Sequence, residues 1–240
     1  MSPRVHRATV AVVVAVALAA LATGCDLVSQ AKNVAGNVSA LADIADKLKN
    51  AENLTYTAQY KTFGGDEVTI VQQPPNGAYI GPDGRFISTN DATYLCQLEA
   101  GKQTCQKAPG RNGIAAADAG TIAAVAGQGF VPPSLAVGLV GAASLYPKAK
   151  VETSTKQLAG QQATCAKVSN LEDAENNQQT IQDFTVCITD DGVLGSFDGA
   201  LQDGSKANLE LVSYTKTADA TAFQPPAGAT ITDVQGLQPK

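Results

Sequence analysis

Few side chains in this chain could do covalent or acid–base chemistry. The 240 residues include five cysteines, Cys25, Cys96, Cys105, Cys165 and Cys187, and a single histidine, His6. His6 lies in a stretch expected to be removed on export. The remaining chain therefore has no imidazole for a triad, a proton relay or a nitrogen-ligated metal. No G-x-S-x-G, phosphate loop or dinucleotide fingerprint occurs. GSFDG at 195–199 lacks both the spacing and the base of a nucleophile elbow. Asp190, Asp191, Asp198 and Asp203 miss the calcium-loop spacing. Three of them precede glycine, and Asp-Gly is an ordinary hairpin turn. Glu67, Asp173 and Asp183 are carboxylates of the kind a paired acid–base site needs, and nothing in their placement singles them out. These residue types leave thiol chemistry and non-covalent binding. The sequence is expected to be no enzyme, to use no cofactor and to hold no metal.

Cys25 is placed by what precedes it. Arg4, His6 and Arg7 are followed by an apolar run, 8–22, and then by LATGC, 21–25. A positive start, an apolar middle and small residues at the cut make an export signal. The run is short of the roughly 20 residues that span a bilayer. LATGC resembles a bacterial lipobox, with Ala22 where leucine is usual. The resemblance implies a signal peptide over 1–24 and an acyl-modified (palmitate-bearing) Cys25 as the first mature residue. It also implies a tether over 25–36 and a domain over 37–240, held on the outer face of the cytoplasmic membrane.

Composition narrows the partners. The whole chain carries 17 basic and 22 acidic residues, net −5. Loss of Arg4 and Arg7 leaves 15 against 22, net −7. There is no basic tract, which argues against nucleic acid. An even count of cysteines outside the cytoplasm argues for two disulfides. Ala100-Gly101 suits a tight turn that would set Cys96 opposite Cys105. The polar loop NLEDAENNQQ, 170–179, joins two strands that would set Cys165 opposite Cys187.

The elements that position these residues are legible from periodicity. Val38, Leu41, Ile44, Ala45 and Leu48 recur at helical steps, predicting a helix over 37–50. Alternation then predicts strands over 54–63, 67–73, 78–81, 85–89, 92–98 and 102–107, separated by Gly, Pro, Asn and Asp. Strands resume over 150–158, 162–169, 180–189, 193–199 and 206–216, with turns expected at Asp191-Gly192, Asp198-Gly199 and Asp203-Gly204. The tail, 223–234, reads as Pro-rich and then extended. No linker divides the chain, so one α+β domain is expected.

Between the two sets of strands lies an uncharged stretch, from Ala119 to Pro147. Gly127, Gly129, Pro132 and Pro133 split it into two pieces too short to span a membrane. It reads as two short helices, with Asp118 at the start of the first and the prolines at the start of the second. No face of the second helix is polar, so something apolar should cover it.

This order is similar to that of the LolA/LppX-type bacterial lipoprotein carriers and the actinobacterial LppX/LprG-type lipoproteins. The likeness rests on ADIADKLKNAENLTYTAQY, VQQPPNGAYIG, ATYLC, the stretch 114–146, VCITDDGVLGSF and FQPPAGATI. It implies a highly curved antiparallel sheet, an unclosed half-barrel, with an N-terminal helix. Two short apolar helices, inserted mid-chain, would lie across its concave face. It also implies a hydrophobic cavity for the acyl chains of a lipid or lipoprotein. Val125, Phe130, Leu135, Leu139 and Leu145 would line that cavity from the helices, and Tyr56, Tyr60, Ile70, Phe86, Tyr94 and Phe184 from the sheet. The function implied is passive carriage of lipid or an acylated ligand. The other reading is an anchored sensor or interaction module with a filled core, meeting cell wall or an exported protein.

Overall fold

A computed structural model describes residues 39–99, 101–110, 119–126, 130–146, 149–171, 181–201 and 206–237, though not the side chains of 119, 120, 123, 181, 182, 200 and 201. Cys25, the signal segment, the tether, Asp118, Gly127, Gly129, Asp173 and Asp203-Gly204 lie outside these residues. The compact unit is Asn37–Lys240.

The alternation seen in sequence becomes twelve strands of one curved, unclosed sheet. The first six are β1 (Tyr56–Thr62), β2 (Glu67–Gln73), β3 (Asn76–Gly81), β4 (Gly84–Ser88), β5 (Ala92–Glu99) and β6 (Lys102–Pro109). After the apolar stretch come β7 (Lys150–Leu158), β8 (Gln161–Ser169), β9 (Ile181–Thr189), β10 (Leu194–Leu201) and β11 (Lys206–Thr215). The last is β12 (Thr230–Asp233). Their spatial order is β12-β6-β5-β4-β3-β2-β1-β11-β10-β9-β8-β7. All neighbours are antiparallel except β12, which runs parallel to β6.

That order explains the apolar stretch. The first meander runs outward from β1 to β6. The second starts at the opposite edge, with β7, and runs back to β11 beside β1. The connection from β6 to β7 must therefore travel from one side of the sheet to the other. It carries α2 (Ala119–Ala126) and α3 (Pro133–Ser144). Ile122, Val125 and Ala126 of α2, and Ala136, Val140 and Ala143 of α3, are buried in the main core. A connection that rests on an apolar sheet face cannot carry charge on its underside without a desolvation cost. Gly81 of β3 lets α2 come very close, because a Cβ there would run into the backbone carbonyl of Val125.

The first helix, α1 (39–50), buries Leu41, Ile44 and Leu48, one face of a 3.6-residue repeat. A 3-10 turn, Ala51–Asn53, follows. The Gln72 side chain donates to the carbonyls of Ala51 (2.7 Å) and Leu54 (3.0 Å), fixing this exit against β2. The turn at Gly192 (φ 92°) packs beneath the helix, and a Cβ there would sit 2.5 Å from the Lys47 carbonyl oxygen.

Both disulfides have the expected pairing, Cys96–Cys105 and Cys165–Cys187. Each joins directly opposed residues of neighbouring strands. By alternation both lie on the face opposite the helices. That face has a small cluster of its own, Val71, Ala78, Ile87, Ala222 and Phe223. A 3-10 turn, Ala220–Phe223, forms its cover, capped by Asp219, which accepts from the Thr221 amide at 2.9 Å. The Asp191-Gly192 turn is present. Asp198-Gly199 is a correction: both residues lie inside β10. Asp198 there accepts from the Asn208 side-chain amide at 2.7 Å. Gly199 makes room, since a Cβ would press on the Phe197 ring at 2.9 Å.

Candidate functional site

Among the described residues, the space under the helices and the rim of the sheet could each receive a ligand. Under the helices, Tyr56, Tyr60, Ile70, Phe86 and Phe184 alternate onto one sheet face and meet Val125 and Phe130 in a single core. Leu139 packs half-buried against it. Phe130 enters from the segment between α2 and α3 and stands edge-on to Tyr60 (6.4 Å) and Tyr79 (6.0 Å). Phe184 stacks on Phe197 at 5.7 Å. The Tyr60 hydroxyl donates to the Leu194 carbonyl at 2.9 Å, so its one polar atom is satisfied. Burial pushes the phenols of Tyr56, Tyr60 and Tyr79 well above their ordinary range, because a phenolate there would lose its water.

Among the described residues these side chains occupy most of this space. The gap between α1, α3 and the sheet, among Leu48, Tyr56, Gln72, Tyr79, Pro133 and Val137, measures about 30 Å³. That is about the share of liquid volume taken by one water molecule. Three of the residues expected to line a cavity lie elsewhere. Tyr94 alternates onto the opposite face, against Val71, Ala78 and Ile87. Leu135 and Leu145 point outward from α3, 44% and 82% exposed. The alternation that puts Phe86 inward puts Tyr94 outward, and α3 meets the core through Ala136, Val140 and Ala143.

The larger opening is a cleft of about 490 Å³ at the rim, between β5, β6 and the tail after β12. Leu95 forms its buried floor. Gln97, Thr104 and Gln106 stand beside it, because the β5–β6 register pairs Leu95 with Gln106 and Gln97 with Thr104. Thr232, Val234, Gln235 and Gly236 make the other wall, and Glu99 sits at one end. The wall is pinned from several directions. The Val234 amide donates to the Lys107 carbonyl at 2.7 Å, Lys107 pairs with Asp233 at 3.4 Å, and Leu237 packs on the main core. Cys96–Cys105 braces the same two strands from behind. The cleft offers amides, hydroxyls and one carboxylate over an apolar floor. That set can hydrogen-bond a neutral polar ligand, and its volume falls within the roughly 300–1,000 Å³ of small-ligand sites.

Sequence reasoning missed the cleft. Alternation alone would have placed residues 95, 97, 104 and 106 together. The parallel return of β12, which supplies the second wall, leaves no local signal. Among the described residues no group of three His, Cys, Asp or Glu side chains could hold a metal ion. Among them, too, no helix is long and apolar enough to cross a membrane.

No protein-family model matches the chain, and no curated protein matches it. Among solved structures it is similar to an uncharacterized conserved protein from Thermus thermophilus. The two share 10% identity at a TM-score of 0.45, over 80% of this chain and 98% of that one. A likeness at that level carries no functional argument, and the resemblance to the LolA/LppX-type carriers gains nothing from it.

Proposed function

We propose that this chain is an exported lipoprotein, anchored through an acylated Cys25, that works by non-covalent binding rather than catalysis. Its ligand is a polar molecule of the cell envelope, or a segment of an exported protein, seated in the rim cleft. The observation that carries this reading is the contrast between the two spaces: about 490 Å³ at the rim and about 30 Å³ under the helices. A filled centre suits an interaction module of the half-barrel type better than a carrier.

Lipid carriage is the second reading. The largely apolar core beneath α2 and α3 favours it, since acyl chains gain roughly 0.8 kcal/mol per buried CH₂. It requires α3 to lift and Phe130 to withdraw from Tyr60 and Tyr79.

One set of measurements separates the readings. The chain from Cys25 to Lys240 is purified from a membrane-containing host, extracted with organic solvent and analysed by mass spectrometry. It is then titrated with a fluorescent fatty acid and, separately, with solubilised cell-wall fragments. The rim reading expects no bound lipid, no fatty-acid uptake, and fragment binding that is lost in Gln97→Leu/Gln106→Leu. Stoichiometric lipid with fatty-acid uptake overturns it in favour of carriage. Binding of neither ligand sinks both. The anchor is tested separately by the mass of the N-terminal peptide: an unmodified Cys25, or cleavage elsewhere, refutes it.

A further inference from the structure

Helix α3 lacks the charged outer side of an ordinary surface helix. Its inward face is Ala136, Val140 and Ala143. Its outward arc holds Leu135, Gly138, Ala142 and Leu145, all exposed. These four fall within one side of a 3.6-residue repeat. Val137 and Leu139 pack at the flanks of the core, so Leu135 and Leu145 are the two large apolar side chains that this segment turns to solvent. No charged residue lies between Asp118 and Lys148, and Ser134 is the exposed polar side chain at the border of this arc. An exposed apolar face of this kind marks an interaction surface.

We propose that this face of α3 docks on the lipid bilayer that anchors the chain, with Leu135 and Leu145 entering the headgroup–acyl boundary. The proposal rests on the Cys25 anchor proposed above. Only residues 26–38 separate Cys25 from α1. Thirteen residues reach at most roughly 45 Å even when fully extended, so the domain stays beside the membrane. Two leucines bind a bilayer weakly from free solution. A short tether raises the local lipid concentration enough for weak contacts to be occupied. The chain beyond residue 24 is acidic, net −7, so anionic lipid repels the domain although α3 itself carries no charge. Docking should therefore be best on neutral lipid and gain nothing from anionic lipid, unlike that of basic amphipathic helices.

The chain has no tryptophan, so one introduced by substitution is the sole indole emitter. Leu145→Trp and, as control, Val212→Trp are made in the chain from Cys25 to Lys240. Val212 is exposed on the face of β11 away from the core. Each protein is coupled through the Cys25 thiol to a maleimide lipid in phosphatidylcholine vesicles whose acyl chains are brominated. Chemical coupling makes the test independent of whether a cell acylates Cys25, so failure of the anchor and failure of docking are read apart. The Leu145→Trp protein should shift its emission to the blue and lose roughly half its intensity, the depth expected for a helix lying in the interface. Val212→Trp should be unaffected. Adding Leu135→Ser to Leu145→Trp should restore most of the lost emission, with unchanged circular dichroism. Phosphatidylglycerol in the vesicles should not strengthen the quenching. Equal quenching of both reporters, or quenching of neither, overturns the proposal. So does a blue shift without vesicles accompanied by a doubled mass in light scattering, which would make the partner a second copy of the chain.

Discussion

Phe130→Ala should leave the fold standing and cost much of its stability. Phe130 is only 8% exposed and is wedged edge-on between Tyr60 and Tyr79, at the place where the helix segment meets the sheet. Truncating a buried phenylalanine costs about 3–5 kcal/mol, transfer and cavity terms together. The two edge-on ring contacts, each worth about 0.5–1.5 kcal/mol beyond area, lie within that figure and favour its upper half. With a urea dependence of about 2 kcal/mol per molar, a loss of about 4 kcal/mol lowers the unfolding midpoint by about 2 M. The assay is urea denaturation followed by circular dichroism, with Leu145→Ala as reference. Leu145 is 82% exposed, and its truncation should stay within about 0.5 kcal/mol. A midpoint for Phe130→Ala equal to that of Leu145→Ala would refute the filled centre and return weight to an open cavity.

Gly81→Ala should cost about 1–3 kcal/mol, because the new methyl meets the Val125 carbonyl and α2 must shift. Gly138→Ala, with nothing near its Cβ position, should instead stabilise the fold by about 0.5–1 kcal/mol of helix propensity and so raise the melting temperature. Equal effects at the two glycines would count against the close approach of α2. Replacing each cysteine pair by alanines should cost about 2.6 kcal/mol for the 9-residue span and about 3.4 kcal/mol for the 22-residue span. A larger loss at Cys96/Cys105 would contradict that ordering. Tyr56, Tyr60 and Tyr79 ionise more easily when unfolded than when folded. Their contribution is therefore intact below the unfolded value of roughly 10 and declines as pH rises past it, at about 1.4 kcal/mol per pH unit for each phenol. Absorbance at the phenolate band should show these three titrating together with the unfolding transition. Their titration in the folded protein would refute the burial.

Most strands were legible because alternation is a local signal. The predicted strand over 67–73 coincides with β2, and that over 150–158 with β7. The disulfide pairing was legible for a related reason. A tight turn between Cys96 and Cys105 fixes the register of the strands it joins, leaving no long-range choice to make. The prolines likewise marked the start of α3, since proline suits the first turn of a helix and acts on the backbone where it stands. Periodicity reports which residues share a face and leaves open what covers that face. Phe86 and Tyr94 look equally apolar in sequence, and only the strand order puts one under the helices and the other behind the sheet. Leu135 and Leu145 look like core until α3 is seen to meet the sheet through its alanines and Val140. Asp198-Gly199 reads as a turn until the pairing of β10 with β9 and β11 carries the strand through it. The rim cleft depends on β12 returning to β6 from over a hundred residues away. Sequence thus determined the backbone conformations, which near neighbours set. Tertiary structure decided burial, because whether an apolar side chain is buried depends on what distant segment comes to lie against it.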